Sequence, residues 1–357
     1  MSLWIDKHTP NSLSKFDFYQ EGASCLKRLV DGGNFPHLLV YGPPGVGKRT
    51  RITCVLREIY GSGVDRLRME HHSFLTPSNK KISISTISSN FHLEVNPSDV
   101  GIYDRIVIQE LIKNMASTAQ LDISQQRDFK VVVVYEADNL TRDAQHALRR
   151  TMEKHMSTCR LILSAESISK IISATRSRCL PVRIPAPSID QIANILKNTA
   201  RREGLTMPTE LANRIAVVSG RNLRRALLLA EVARWQYCPL SSDQSVQMPD
   251  WQAYLEETAA VILSEQSPRR ILEVRGRLYE LICHCIPADM IMRGLVDCLL
   301  NSCDGNLKLG VVDLAAEHEH RLKLGQKPVF HLEAFVIAFM ALYKRFVEDA
   351  LGSGVEW

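Results

Sequence analysis

The segment Gly42-Pro-Pro-Gly-Val-Gly-Lys-Arg-Thr50 constrains this chain more than any other, because of what flanks it. Before it, His37-Leu-Leu-Val-Tyr41 is a short apolar run of strand character. After it, Ile52, Val55, Leu56 and Ile59 fall at i, i+3, i+4 and i+7, one face of a helix, and Gly61 ends the pattern. A strand entering a glycine loop that opens a helix is the context in which the spacing Gly-x4-Gly-Lys cradles phosphate. Unpaired N–H groups at the helix N-terminus and the lysine ammonium supply the attraction. The residues expected to hold a nucleotide, ATP or ADP, are Gly42, Gly45, Val46, Gly47, Lys48, Arg49 and Thr50.

The loop departs from its pattern at one position. The residue after the lysine normally places a hydroxyl on magnesium, and here it is Arg49. A second departure follows Val131-Val-Val-Val134, whose β-branched run reads as a strand covered on both faces. In phosphate-loop ATPases that strand leads into Asp-Glu, the aspartate supporting the metal and the glutamate activating water. This chain has Tyr135-Glu136, so Glu136 remains as a vestige of that pair. A guanidinium and a phenol do not replace a hydroxyl and a carboxylate around a hard cation that takes oxygen ligands. The residues therefore predict nucleotide binding without hydrolysis, magnesium disfavoured at this site, and no other metal. Two alternatives stay open: an active ATPase whose metal is held by Thr50 or through water, and an assembly scaffold that needs no nucleotide.

A chain of 357 residues exceeds one ordinary core, and its patterns change twice. Residues 1–185 alternate short strands, including Arg160-Leu-Ile-Leu-Ser164 and Leu180-Pro-Val-Arg-Ile184, with helical stretches, which predicts an α/β domain with a mostly parallel sheet. Residues 186–240 open on Ser188 and Gln191 at capping-box spacing and read as a small helical domain. A looser stretch from Pro239 to Pro249 precedes residues 250–357, which are helical throughout, with Phe335, Phe339 and Leu342 marking a buried face. No apolar run reaches the roughly 20 residues of a membrane span, and the N-terminal residues do not predict secretion. The nine cysteines read as reduced thiols, with Cys283-His-Cys285 taken as helix core rather than a metal pair because no second pair matches it. A net charge of +5 permits contact with a polyanion without requiring it.

Six segments occur in an order that carries a family resemblance: Pro36-His-Leu-Leu with the glycine loop, Glu136-Ala-Asp138, Ala144-Gln-His-Ala-Leu-Arg-Arg-Thr-Met-Glu153, Ser177-Arg-Cys179 and Gly220-Arg-Asn-Leu-Arg-Arg-Ala226. Over essentially its whole length the chain resembles the small subunits of replication factor C, the sliding-clamp loader of the AAA+ class. The resemblance implies an AAA+ domain, a helical lid and a helical collar that assembles five different subunits. It implies as partners the other replication factor C subunits, the PCNA sliding clamp and primer–template DNA, with no membrane and a nuclear location. It implies that Arg178 reaches the γ-phosphate held by the neighbouring subunit, and that Arg224 senses nucleotide in cis. It places Trp4 near the adenine, although His8 and Thr9 alter the family's pattern beside it. Glu166 stands where active members carry a sensor asparagine, and an ionised carboxylate there repels γ-phosphate. For DNA the resemblance points to Arg105, which reads equally as a partner of Asp104. Arg149, Arg150 and Lys154 read either as a second basic element or as a helix face braced by Arg149 and Glu153.

Overall fold

The computed structural model describes residues 2–75, 81–117, 129–156 and 158–352. They form two compact units, residues 1–247 and 248–357.

In the first unit α1 (Trp4–Lys7) and α2 (Gln20–Asp31) lead to β1 (Leu38–Tyr41) and α3 (Lys48–Tyr60). Then come β2 (Arg68–Leu75), β3 (Lys81–Ser88), β4 (His92–Val95), α4 (Asp104–Ser117) and β5 (Lys130–Val134). The α/β part closes with α5 (Arg142–Lys154), β6 (Cys159–Ala165), α6 (Ser173–Arg176) and β7 (Leu180–Arg183). The sheet order is β2-β3-β4-β5-β6-β1-β7. From β4 to β7 all neighbours are parallel, whereas β2 and β3 add antiparallel strands at the β4 edge. The mostly parallel sheet is as expected; β2, β3 and β4 extend it beyond the strands that apolar runs indicate. β3 announces itself only by alternation, with Ile82, Ile84 and Thr86 buried between exposed residues.

Side-chain alternation splits the sheet into two cores. Val131 and Val133 face Leu38, Val40 and the helix residues Ile52, Val55 and Leu56. Val132 and Val134 face Leu161, Leu163 and the α4 and α5 residues Val107, Leu111 and Leu148. All four valines are fully buried, so β5 must be covered on both sides, as its composition requires.

The helices α7 (Ile189–Arg202), α8 (Thr209–Val218) and α9 (Leu223–Gln236) follow. Ser188 and Gln191 form the expected capping box at the start of α7. Ile192, Leu196, Leu211, Ile215 and Ala230 make a separate small core, joined by Trp4 from α1. The stretch after α9 is less loose than its composition suggests: Leu240 is buried and Gln244 Nε2 donates to the Ala233 carbonyl at 2.7 Å.

The second unit consists, among the described residues, of α10 (Asp250–Ser264), α11 (Pro268–Cys283), α12 (Ala288–Ser302), α13 (Gly305–Leu324) and α14 (Pro328–Gly352). Phe335 and Phe339 of α14 are fully buried among Leu278, Leu295 and Val311, and Leu342 packs half-buried against the same core. Cys283 and Cys285 correct the sequence reading: both are exposed. Cys283 is the last residue of the helix and lies off its buried face of Val274, Leu278 and Leu281, and the chain then turns through a left-handed Cys285 (φ 60°) towards Pro287. Among the described residues no three His, Cys, Asp or Glu side chains are placed to hold a metal ion, and no helix is long and apolar enough to cross a membrane.

Candidate nucleotide site

The phosphate loop joins β1 to α3 at the carboxyl edge of the sheet, where open α/β sheets bind ligands. Gly45 (φ 72°) and Gly47 (φ 82°) take left-handed backbone that other residues adopt only at a cost. At Gly45 a Cβ would also come within 1.8 Å of Asn222 Oδ1. That side chain caps α9 by accepting from Arg225 N at 3.1 Å, and Arg224 N donates to the Gly45 carbonyl at 3.2 Å. The loop is thus tied to the first turn of α9, with buried Val46 anchoring its base. Lys48 Nζ donates to the carbonyls of Gly42 (2.7 Å) and Pro43 (3.0 Å). Burial lowers the Lys48 pKa, against the opposing pull of the Glu166 and Asp138 carboxylates.

The two departures from the phosphate-loop pattern meet in space. Arg49 Nη2 donates to Glu94 Oε2 at 2.8 Å, and the guanidinium carbon stands 4.9 Å from the centre of the Tyr135 ring. Glu94 comes from β4 and is only 6% exposed. Burial pushes the Glu94 pKa up, but His92 beside it and the Arg49 guanidinium outweigh that and hold it below the usual carboxylate range. The Tyr135 hydroxyl is held far from ionisation by burial first and by the facing Glu94 carboxylate second. A cation, a neutral phenol and a carboxylate already bound by an arginine therefore occupy the place where oxygen ligands for magnesium are expected.

A cleft of about 1170 Å3 runs from this cluster past Thr50, Glu136 and Glu166 to Arg224, with Trp4 at its rim. Glu136 has left-handed backbone (φ 50°), and its carboxylate accepts from Ser98 Oγ (2.8 Å) and Asn139 Nδ2 (3.1 Å). The structure so brings together Gly45, Val46, Gly47, Lys48, Arg49, Thr50, Glu136 and Arg224. Trp4 is 2% exposed and chiefly a core residue, its backbone N–H donating to Glu231 Oε2 at 3.1 Å and its ring faced by Arg234.

Models of known families match three stretches of the chain. The model of the AAA family of ATPases associated with various cellular activities matches residues 38–186, a lid-domain model of the replication factor C type matches 194–235, and the model of the replication factor C subunit 3 C-terminal domain matches 251–347. Replication factor C subunit 3 of Mus musculus is 60% identical over 98% of this chain and 99% of its own length. The Homo sapiens protein is 59% identical over the same shares, and that of Arabidopsis thaliana 44% identical over 98% of this chain and 100% of its own length. The chain belongs to the replication factor C subunit family. It is a clamp-loader AAA+ subunit, and the likeness to mammalian replication factor C subunit 3 covers 98% of it. Among solved structures, RuvB, the Holliday junction branch migration motor of Thermotoga maritima, shares the fold at a TM-score of 0.50 and 15% identity, covering 76% of this chain and 85% of its own.

Two arginines expected at replication factor C sites lie apart from the cleft. Arg178, just past α6, donates from Nε to Glu153 Oε1 (2.8 Å) and from Nη1 to the Ala174 carbonyl (2.6 Å). The same Glu153 oxygen is 3.4 Å from Arg149 Nε, the i, i+4 contact expected on α5. Arg105 is exposed in the first turn of α4. Asp104 is buried and accepts from the Arg105 and Thr141 backbone N–H groups and the Thr141 hydroxyl, so its hydrogen bonds go elsewhere than the Arg105 guanidinium. Sequence reasoning missed Glu94 and Asn222. Glu94 lies in a strand too short and polar to flag, and Asn222 was visible only as part of a family segment.

Proposed function

We propose that this chain is the nucleotide-holding, non-hydrolysing member of a heteropentameric clamp loader that uses ATP to open the PCNA sliding clamp and place it on primer–template DNA in the nucleus. The observation that carries the reading is the Arg49–Glu94–Tyr135 cluster beside an otherwise intact phosphate loop. The loop amides and Lys48 hold ATP or ADP, and Arg224 meets its phosphates from the α9 side. Glu136 has no metal-supporting aspartate beside it, so water activation fails and the nucleotide serves to join the AAA+ domain (1–185) to the lid (186–240). The last domain (250–357) assembles the ring with the other replication factor C subunits. Arg178, outside its own cleft, delivers its guanidinium to the neighbour's γ-phosphate, where such a finger contributes on the order of 10³-fold or more in rate. Arg105 touches the DNA backbone without reading sequence.

The test is clamp- and DNA-stimulated ATPase of the reconstituted pentamer carrying Arg178→Ala or Lys48→Ala in this chain. A large loss with Arg178→Ala and a small one with Lys48→Ala is the expected result. The reverse pattern would mean that the chain hydrolyses its own ATP. Full turnover and clamp loading with both variants would favour a scaffold.

A further inference from the structure

The cluster beside the phosphate loop says more than that hydrolysis fails. Resting on the nucleotide-binding reading above, we infer that Arg49 takes the place of magnesium: this site binds a nucleoside di- or triphosphate without a divalent cation. In a metal-dependent loop, the cation is held by the hydroxyl after the lysine and by the carboxylate ending the central strand. Both positions are changed here, and the replacements interact with each other rather than leaving a gap.

Arg49 is placed to act as a fixed cation. Its backbone lies in the first turn of α3, next to Lys48, and its side chain is 62% exposed towards the cleft it lines. One guanidinium nitrogen is bound by Glu94 and the guanidinium carbon lies 4.9 Å from the centre of the Tyr135 ring, two contacts that hold the fork in place. A guanidinium carries five N–H donors in a rigid array suited to phosphate oxygens, so the remaining donors stay available. Metal is disfavoured by the same arrangement. A divalent ion at that position would stand against a permanent positive charge, and the nearest strand carboxylate, Glu94, is already shared between Arg49 and His92. Of the other acidic groups in the cleft, Glu136 is held by Ser98 and Asn139, and Asp138 lies 3.9 Å from Lys170 Nζ.

The experiment uses the purified full chain and a fluorescent ADP analogue, with binding followed by anisotropy in millimolar magnesium and again in excess EDTA. The expected affinities agree to within about twofold, and a loss of about tenfold or more in EDTA would overturn the inference. Arg49→Thr combined with Tyr135→Asp restores the oxygen ligands and is expected to make binding magnesium-dependent; binding that stays indifferent to magnesium would count against Arg49 as the substitute. Because Tyr135 is packed inside, Arg49→Gln alone serves as a milder variant, expected to weaken metal-free binding by about tenfold with an unchanged circular dichroism spectrum. Unweakened binding by Arg49→Gln would sink the assignment. If the parent chain binds the analogue in neither condition, it is the nucleotide reading itself that fails, and the inference with it.

Discussion

Arg49 and Arg178 are each held by a glutamate, and the two pairs are built on opposite principles. Glu94 is a buried strand residue with parallel β5 on one side and antiparallel β3 on the other. Once a carboxylate is that desolvated, losing its partner is expensive, so Arg49 is fixed in place. Glu153 ends a surface helix, is half exposed, and divides one oxygen between Arg178 and Arg149. Exposed pairs of this kind contribute little, because water replaces the lost contact. The same two side-chain types thus give one arginine that stays with its own cleft and another that can exchange its partner for a phosphate at small cost. The difference lies in the glutamates, not in the arginines.

The largest effect that would sharpen this contrast concerns Arg178, in its proposed trans role. Arg178→Lys keeps the charge and loses the planar fork, so turnover at the neighbour's site should fall by on the order of a hundredfold. Measurement in a reconstituted pentamer whose other phosphate loops carry lysine substitutions isolates that site; unchanged turnover would break the comparison. Next comes the fixed pair. Glu94→Gln should lower unfolding stability by about 1–2 kcal/mol in urea titration, since a buried charged hydrogen bond becomes a neutral one. The pH dependence follows with a definite sign. The folded Glu94 pKa is depressed, so its contribution is present above the unfolded value and lost as pH falls through the folded one. The melting gap between parent and Glu94→Gln should therefore persist from neutral pH down to the ordinary carboxylate range, about pH 4, and close below it. A gap that widens on acidification would contradict the assignment of Glu94 as the ionised partner.

Much of this was legible in the residues. The β1–loop–α3 unit follows from an apolar run, a glycine spacing and an i, i+3, i+4, i+7 stripe, all of them local signals. β5 was readable because four consecutive valines leave no polar face. The edge strands were not: β2 reads Arg-Met-Glu-His-His-Ser-Phe-Leu, and a strand at a sheet edge needs little apolar surface. Arg49 and Tyr135 stood out as separate departures, but that they touch, and that Glu94 joins them, depends on β4 lying beside β5, a pairing no local pattern encodes. The Cys283–Cys285 error has the same origin. The helical period ends at Cys283 with no local signal to mark the turn, so periodicity alone carries Cys285 onto a helix face that does not exist.

Smaller effects probe the comparison more finely. Glu153→Gln leaves Arg178 held by the Ala174 carbonyl alone, so the finger should be freer and turnover at the neighbour's site should change by no more than about twofold. The melting temperature of the purified chain should not move. A stability loss matching that of Glu94→Gln would show that the surface pair is as fixed as the buried one.

The smallest effect belongs to Tyr135→Phe, and it separates two ways of using the ring. The Tyr135 hydroxyl is buried and faces the Glu94 carboxylate, while the ring lies beside the Arg49 guanidinium. Removing the hydroxyl relieves its desolvation but gives up its interaction with Glu94, whereas the phenyl ring keeps its cation contact and its packing. The two effects oppose each other, so stability should change by less than about 1 kcal/mol. Affinity for the fluorescent ADP analogue should be unaffected, both in magnesium and in EDTA. If the hydroxyl instead helped to hold a metal, Tyr135→Phe would weaken binding in magnesium and leave it unchanged in EDTA. An equal affinity in both conditions leaves the ring as a platform for Arg49, in keeping with the buried Glu94 and the guanidinium 4.9 Å from the ring centre.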